Sequence, residues 1–285
     1  MAQTVKIISD STCDLSKDLL EKYDITILPL HILLGETEYR DGVDITPEEI
    51  FRWSDENKTT PKTSAPSMTE AMEVMKPFLD EGREIICFSI SDSMSTSGNV
   101  MRLAAEELEA SDKVTVINSA NLSTGIGLQV IQAALLSAEG KTRAKITAAI
   151  EEIRPRVRAS FTVDTLTYLY RGGRCNAVAA LAGTMLKLHP RIVVEDGAMD
   201  ASKKYRGKLS SVILSYTKDM EDDLKNAVPD RVFITHSGCD REIVESVRSY
   251  LESLGIFNEI LETRAGGVIS SHCGPGTLGV LFIEK

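Results

Sequence analysis

Five short runs of this chain concentrate hydroxyl side chains with few charges among them: Asp10-Ser11-Thr12-Cys13-Asp14, Thr63-Ser64-Ala65-Pro66-Ser67, Ser91 to Gly98, Asn118-Ser119, and Ser123-Thr124-Gly125-Ile126-Gly127. A Ser, Thr or Asp just ahead of a helix satisfies a free backbone N–H, worth about 1 kcal/mol. That accounts for Ser11, Thr12, Asp14 and Ser67 taken singly. One cap needs one hydroxyl, so the density between Ser91 and Ser97 asks for a further role. Neutral donors at a helix N-terminus make an anion site, because the backbone N–H groups and the helix dipole favour the same charge. These residues leave open whether the anion is a phosphate or a carboxylate.

Two more groups carry chemistry. Asp164-Thr165-Leu166 leads through Tyr168-Leu169 to Gly172-Gly173-Arg174. A guanidinium there can fork onto a carboxylate or phosphate; the same residues also read as a helix end with a glycine stop and a basic last turn. His272, ahead of Gly274-Pro275-Gly276, supplies either an anion donor, a general base or a histidine in a turn. Other chemistries lack their motifs. The chain has no G-x-S-x-G elbow, no Walker P-loop and no complete G-x-G-x-x-G, of which Gly125-Ile126-Gly127 is only a fragment. The histidines His31, His189, His236 and His272 never adopt H-E-x-x-H spacing, and His236 with Cys239 is too small a set for a metal. Neither a metal nor a cofactor is expected. A phosphotransferase or hydrolase built on Ser97, Arg174 and His272 is the alternative to a binding protein.

The elements that position these groups alternate in type. Strand-like runs at Val5–Ile8, Ile25–Leu34, Ile85–Ile90 and Val114–Ile117 are separated by helical segments at about 15–23, after Pro47, 69–81 and 98–109, with another at 125–137. Such alternation implies βαβ units and a parallel sheet covered on both faces, with ligands beyond the carboxyl ends of the strands. The second half mixes strands at 158–163, 191–195, 232–235, 259–262 and 278–283 with helices at 209–226 and 243–254. Asp196-Gly197 reads as a hairpin turn. The reading is α/β, with a parallel-sheet domain over residues 1–155 and a mixed-sheet α/β domain over 156–285.

The 285 residues are 42% hydrophobic and 26% charged, with a formal net charge of -10. That is a folded globular composition whose surface repels nucleic acid and anionic membrane. Lys203 to Lys208 is the one basic patch and reads as a solvated turn before a helix. Cys13, Cys87, Cys175, Cys239 and Cys273 are scattered and form no C-x-x-C pair, which fits a reducing cytoplasm. No export signal is read at the N-terminus, and no apolar run nears the roughly 18 residues of a membrane span. A cytoplasmic protein without stable membrane insertion is expected.

Taken in order, the clusters resemble the DegV family of fatty-acid-binding proteins over nearly the whole chain. The resemblance rests on Asp10-Ser11-Thr12 with Asp14, Thr63 to Ser67, Ser97-Gly98, Ser119 to Gly127, and Asp164-Thr165-Leu166 with Tyr168-Leu169 and Gly172-Gly173-Arg174. It is completed by Leu186-Lys187 before Pro190 and by His272 with Gly274-Pro275-Gly276. It implies two α/β domains that bury a long-chain fatty acid such as palmitate, stearate or oleate, its carboxylate held by Thr63 and Ser97. It also implies a non-enzymatic, acyl-carrying partner of a separate fatty acid kinase ATP-binding subunit, with Arg174, His272, Ser64 and Ser119 around the head-group mouth. The chain departs from the family pattern at Asn99, where Thr is common, at Asn118, where Asp is common, and at His189, where Lys is common. The first departure bears on hydrogen bonding at the head group and the others on local geometry. A buried tail makes physical sense. At about 0.8 kcal/mol per methylene, roughly 14 methylenes gain on the order of 11 kcal/mol before the cost of ordering them. The small, apolar run Ala177 to Gly183 is the expected piece of tunnel wall.

Overall fold

The computed structural model describes residues 5–175 and 188–285. Ala177 to Gly183 and Leu186-Lys187 lie outside the described residues. The apolar-rich runs of the first half become parallel strands: β1 (Val5–Asp10), β2 (Ile25–Leu28), β6 (Glu84–Ser89) and β7 (Val114–Asn118), in the order β2-β1-β6-β7. β1 is buried along its whole length, as a strand covered on both faces must be.

The run Ile25–Leu34 is two strands, not one. Pro29 has no N–H to donate and ends β2. β3 (His31–Leu34) then pairs antiparallel with β4 (Thr37–Arg40) and β5 (Lys62–Ser64), with Ile32 opposite Thr63. This small third sheet was not foreseen, and it fixes Thr63 in a strand.

The second half builds a six-stranded sheet from β8 (Val157–Thr162), β9 (Leu188–Glu195), β10 (Ala198–Arg206), β11 (Ala227–Ser237), β12 (Glu259–Arg264) and β13 (Thr277–Glu284). The order is β10-β9-β8-β13-β11-β12, and only β11 and β12 run parallel. Asp196 (φ 49°) and Gly197 (φ 80°) make the expected two-residue hairpin turn between β9 and β10. Lys203, Lys204 and Arg206 belong to the edge strand β10, which corrects their reading as a turn.

The helices are α1 (Lys17–Lys22), α2 (Pro47–Asn57), α3 (Met68–Asp80), α4 (Ser97–Glu107), α5 (Thr124–Ala138), α6 (Arg143–Ile153), α7 (Thr167–Gly172), α8 (Leu209–Lys218), α9 (Glu221–Lys225), α10 (Arg241–Leu254) and α11 (Gly267–Cys273). The helix expected over 209–226 breaks at Asp219-Met220. Glu221, Asp222 and Asp223 there favour a new N-terminus over a continuing helix. α5 packs between the sheets, against β1 and β6 on one side and β8 and β13 on the other. Its near-total burial explains why it is apolar all round. One hydrophobic core therefore runs through Phe88 and Ile117 of the parallel sheet, Ile126 and Val130 of α5, and Phe161 and Leu281 of the mixed sheet.

Candidate ligand site

A cavity of about 440 Å³ lies at the carboxyl end of the parallel sheet, bounded by the loops after β6 and β7, by β5, by α11 and by the mixed sheet. That volume falls within the roughly 300–1,000 Å³ of small-molecule sites. Its wall is largely apolar: Ile90, Leu122, Phe161, Leu169, Met199 and Leu281 all face it. Thr235, Ser237 and Thr277 also line it, but their hydroxyls are already engaged. Thr235 shares hydrogen bonds with Thr124 (2.6 Å) and Thr263 (3.1 Å), Ser237 with Ser270 (3.0 Å), and Thr277 donates to the Cys273 carbonyl (2.9 Å). Satisfied hydroxyls demand nothing of an occupant, so these three side chains can face an apolar chain without being stranded.

The polar part of the wall gathers Thr63, Ser64, Arg174 and His272. Thr63 Oγ1 lies 2.8 Å from His272 Nε2. Burial, reinforced by the positive charge of Arg174, lowers the His272 pKa to about 4, so the ring is neutral at pH 7. Its Nδ1 has no hydrogen-bond partner and faces Gly172, where a Cβ would stand 2.4 Å away. A stranded N–H is rarer in proteins than an under-used acceptor. The proton is therefore assigned to Nε2, which donates to Thr63 Oγ1 and leaves the Thr63 hydroxyl proton free for the cavity. Arg174 is exposed and holds only the Gly172 carbonyl (2.7 Å), with no carboxylate partner among the described residues. Among the described residues the one carboxylate on the wall, Asp92, is held by Arg102 at 3.2 Å. The mouth therefore presents a neutral hydroxyl relay and an unneutralised cation.

Ser97 and Ser119 do not reach this wall among the described residues. Ser97, the first residue of α4, is fully buried and donates to Asp10 Oδ2 at 2.9 Å. Asp10 also accepts from Thr12 Oγ1 (2.5 Å) and from the Ile90 N–H (2.9 Å), which pins the loop after β6. Ser119 is likewise buried and closes its own turn with Asn121. Ser93, Ser95 and Thr96 supply the hydroxyls of that loop that do line the cavity. Ser67 caps α3 as read, in a capping box with Glu70. Ser11 and Asp14 cap nothing locally: Ser11 donates to Asp41 (2.7 Å), and Asp14 accepts from Ser123 (2.5 Å) and the Gly266 N–H (2.8 Å). Of the departures from the family pattern, Asn118 Oδ1 accepts from the Asp92 and Ala120 N–H groups, His189 is buried against the Val163 carbonyl, and Asn99 is exposed on α4.

The residues that sequence reasoning missed are Asp41, Gly266 and Gly267. Asp41 is buried, its pKa raised by that burial to about 6, and it accepts the Gly267 N–H at 2.7 Å. Asp14, also buried, has its pKa raised in the same way. Together the two carboxylates hold the start of α11, the helix that carries His272. The Gly-Gly pair ahead of Val268 was the available signal, because a Cβ on Gly267 would meet Ile32 and Ile50 at 2.6 and 2.8 Å. No group of three or more His, Cys, Asp or Glu residues suited to a metal occurs among the described residues. None of the described helices is long and apolar enough to cross a membrane.

The family model for the uncharacterised DegV family matches residues 4–285. A DegV domain-containing protein of Clostridium perfringens is 32% identical over 281 residues, 99% of each chain. Among solved structures, a DegV family protein of Thermus thermophilus, described for its fatty acid binding, superposes with a TM-score of 0.91 at 31% identity, covering 99% of this chain and 100% of that one. A stearic acid-binding protein of Eubacterium ventriosum gives 0.85 at 32% identity, covering 99% and 98%. With its parallel sheet, its mixed sheet and the cavity between them, this chain belongs to the DegV family.

Proposed function

We propose that this protein binds one long-chain fatty acid, its tail in the cavity and its carboxylate at Thr63. The observation that carries this reading is the Thr63–His272 pair, 2.8 Å apart, set at the polar part of a largely apolar wall. A neutral His272 directs the Thr63 hydroxyl proton outward, and the charge of Arg174 favours an anion at the same place. A tail of roughly 14 methylenes supplies on the order of 11 kcal/mol of burial, so the head needs only a few donors. The relatives described as binding fatty acid and stearic acid support the same ligand class. Organic extraction of the purified protein followed by mass analysis tests the reading. A fatty acid of about 14 to 18 carbons is the expected extract, a range that the family resemblance implies and that fits the burial gain per methylene.

The proposal extends to a division of labour in the cytoplasm. The protein presents the carboxylate of its bound fatty acid to a separate ATP-binding kinase subunit. A carboxylate oxygen attacks the γ-phosphorus of ATP, the bond to the bridging oxygen breaks, and acyl phosphate and ADP result. The exposed Arg174 guanidinium suits a role in holding charge at that mouth. A phosphotransferase or hydrolase using Ser97, Arg174 and His272 is less well supported. Ser97 Oγ is spent on Asp10 while His272 Nε2 is spent on Thr63, so the two form no nucleophile–base pair. The isolated protein is expected to turn over neither ATP nor esters. With the kinase and ATP, hydroxylamine is expected to trap acyl phosphate.

A further inference from the structure

The reading of Thr63 as the carboxylate donor raises the question of what fixes the imidazole behind it. Resting on that reading, we propose that Asp14, Asp41 and Gly172 are positioning residues that aim His272 at Thr63. α11 has seven residues, too short to hold its own direction by helix stability. Its start is instead tied down from two separate loops. Asp14, after β1, accepts the Gly266 N–H at 2.8 Å, and Asp41, after β4, accepts the Gly267 N–H at 2.7 Å.

The Asp41 anchor also registers the partner of His272. The Asp41 N–H donates to the Leu30 carbonyl at 2.8 Å, and Ser11 Oγ bridges Asp41 (2.7 Å) and the Leu30 N–H (3.1 Å). Leu30 leads directly into β3, where Ile32 sits opposite Thr63 of β5. One buried network therefore sets both ends of the Thr63–His272 contact. Ile32 and Ile50 leave no room for a Cβ on Gly267, which keeps the helix pressed onto its two anchors.

Gly172 closes the other side. Its neighbour Gly173 takes a left-handed conformation (φ 66°) as the cap of α7, so glycine is required there by the backbone. Gly172 lies within α7 and is not in that region, so its backbone suits any residue. The constraint on Gly172 is the His272 ring, whose Nδ1 occupies the space where a Cβ would go. An alanine there has to push the imidazole away from Thr63 or move α7.

The test uses the full-length protein with isotope-labelled histidine. In the wild type, His272 is expected to titrate near pH 4 with its proton on Nε2. Gly172→Ala is expected to raise that pKa by at least one unit, toward the ordinary value of about 6.5, as the ring leaves its pocket. It is also expected to weaken palmitate binding at least tenfold while changing binding of the neutral methyl ester less than threefold. Asp41→Ala is expected to shift the His272 signals in the same sense. Asp41→Asn, which keeps an acceptor for the Gly267 N–H, is expected to restore them. His272 signals and pKa unchanged in both Gly172→Ala and Asp41→Ala would overturn the positioning role whatever the ligand. A displaced ring with unchanged palmitate affinity would leave the positioning intact and instead sink the carboxylate reading on which it rests.

Discussion

Replacing Thr63 by valine removes one hydroxyl and keeps the shape of the side chain, so it isolates the head-group donor from the tail. A hydrogen bond to a carboxylate is worth roughly 1.5–3 kcal/mol, which converts to about a 10-fold to 150-fold loss of affinity. The burial of the tail, on the order of 11 kcal/mol, is untouched, so binding weakens but stays measurable. His272 loses its one hydrogen-bond partner in the same step, since Nδ1 has none to begin with. The free protein is therefore expected to melt somewhat earlier as well. The assay is titration with palmitate beside a thermal melt, with palmitate methyl ester as the uncharged control. A folded Thr63→Val protein with wild-type affinity for palmitate would refute the reasoning, because the carboxylate would then lie elsewhere.

Ser97→Ala is expected to act on stability, not affinity. It strands a lone pair of the buried Asp10 carboxylate and costs about 1–3 kcal/mol in denaturant unfolding; a tenfold loss of palmitate affinity with unchanged stability would contradict this. His272 gives a pH signature. Its pKa is about 4 in the fold and about 6.5 in the unfolded chain, so the unfolded state takes up the proton first. Its contribution to stability is whole above pH 6.5 and shrinks by about 3 kcal/mol as pH falls toward 4. Asp41, with its pKa raised to about 6, works in the opposite sense, so the effect is read as the difference between wild type and His272→Asn; a difference independent of pH would refute it. Met199→Trp, on the cavity wall in β10, is expected to lower affinity for sixteen-carbon acids more than for ten-carbon acids in parallel titrations. Equal losses for both lengths would place the end of the tail away from Met199.

Much of the frame was legible because its signals are local. The apolar-rich runs that became β1, β6 and β7, the Asp196-Gly197 hairpin, and the hydroxyl clusters beyond strand ends each depend on neighbours in sequence. Arg174 and His272 stood out in their own clusters and Thr63 as a carboxylate donor through the resemblance, and the fold brings all three to one cavity wall. What stayed hidden depends on contacts with no local trace. Asp14 meets Gly266 across 252 residues and Asp41 meets Gly267 across 226, so neither pairing leaves a periodicity to read. The resemblance implies Ser97 as a second donor to the carboxylate; here the Asp10 carboxylate, from the end of a different strand 87 residues earlier, accepts its hydroxyl. β5 escaped notice because Lys62-Thr63-Ser64 has neither length nor apolar character, and only pairing with β3 makes it a strand. α11 was missed for the related reason that Gly267, Ser270, Ser271 and His272 are poor helix formers, held helical here by the anchors at its start.

The central claim is that the cavity between the two sheets holds a fatty acid whose carboxylate meets Thr63. Native mass spectrometry of the protein purified from bacterial cells, with mass analysis of its organic extract, tests it most directly. One bound acyl species per chain is expected, identified as a free long-chain fatty acid and displaced by added oleate. Protein that carries no acyl species and fails to bind added palmitate or oleate would contradict it.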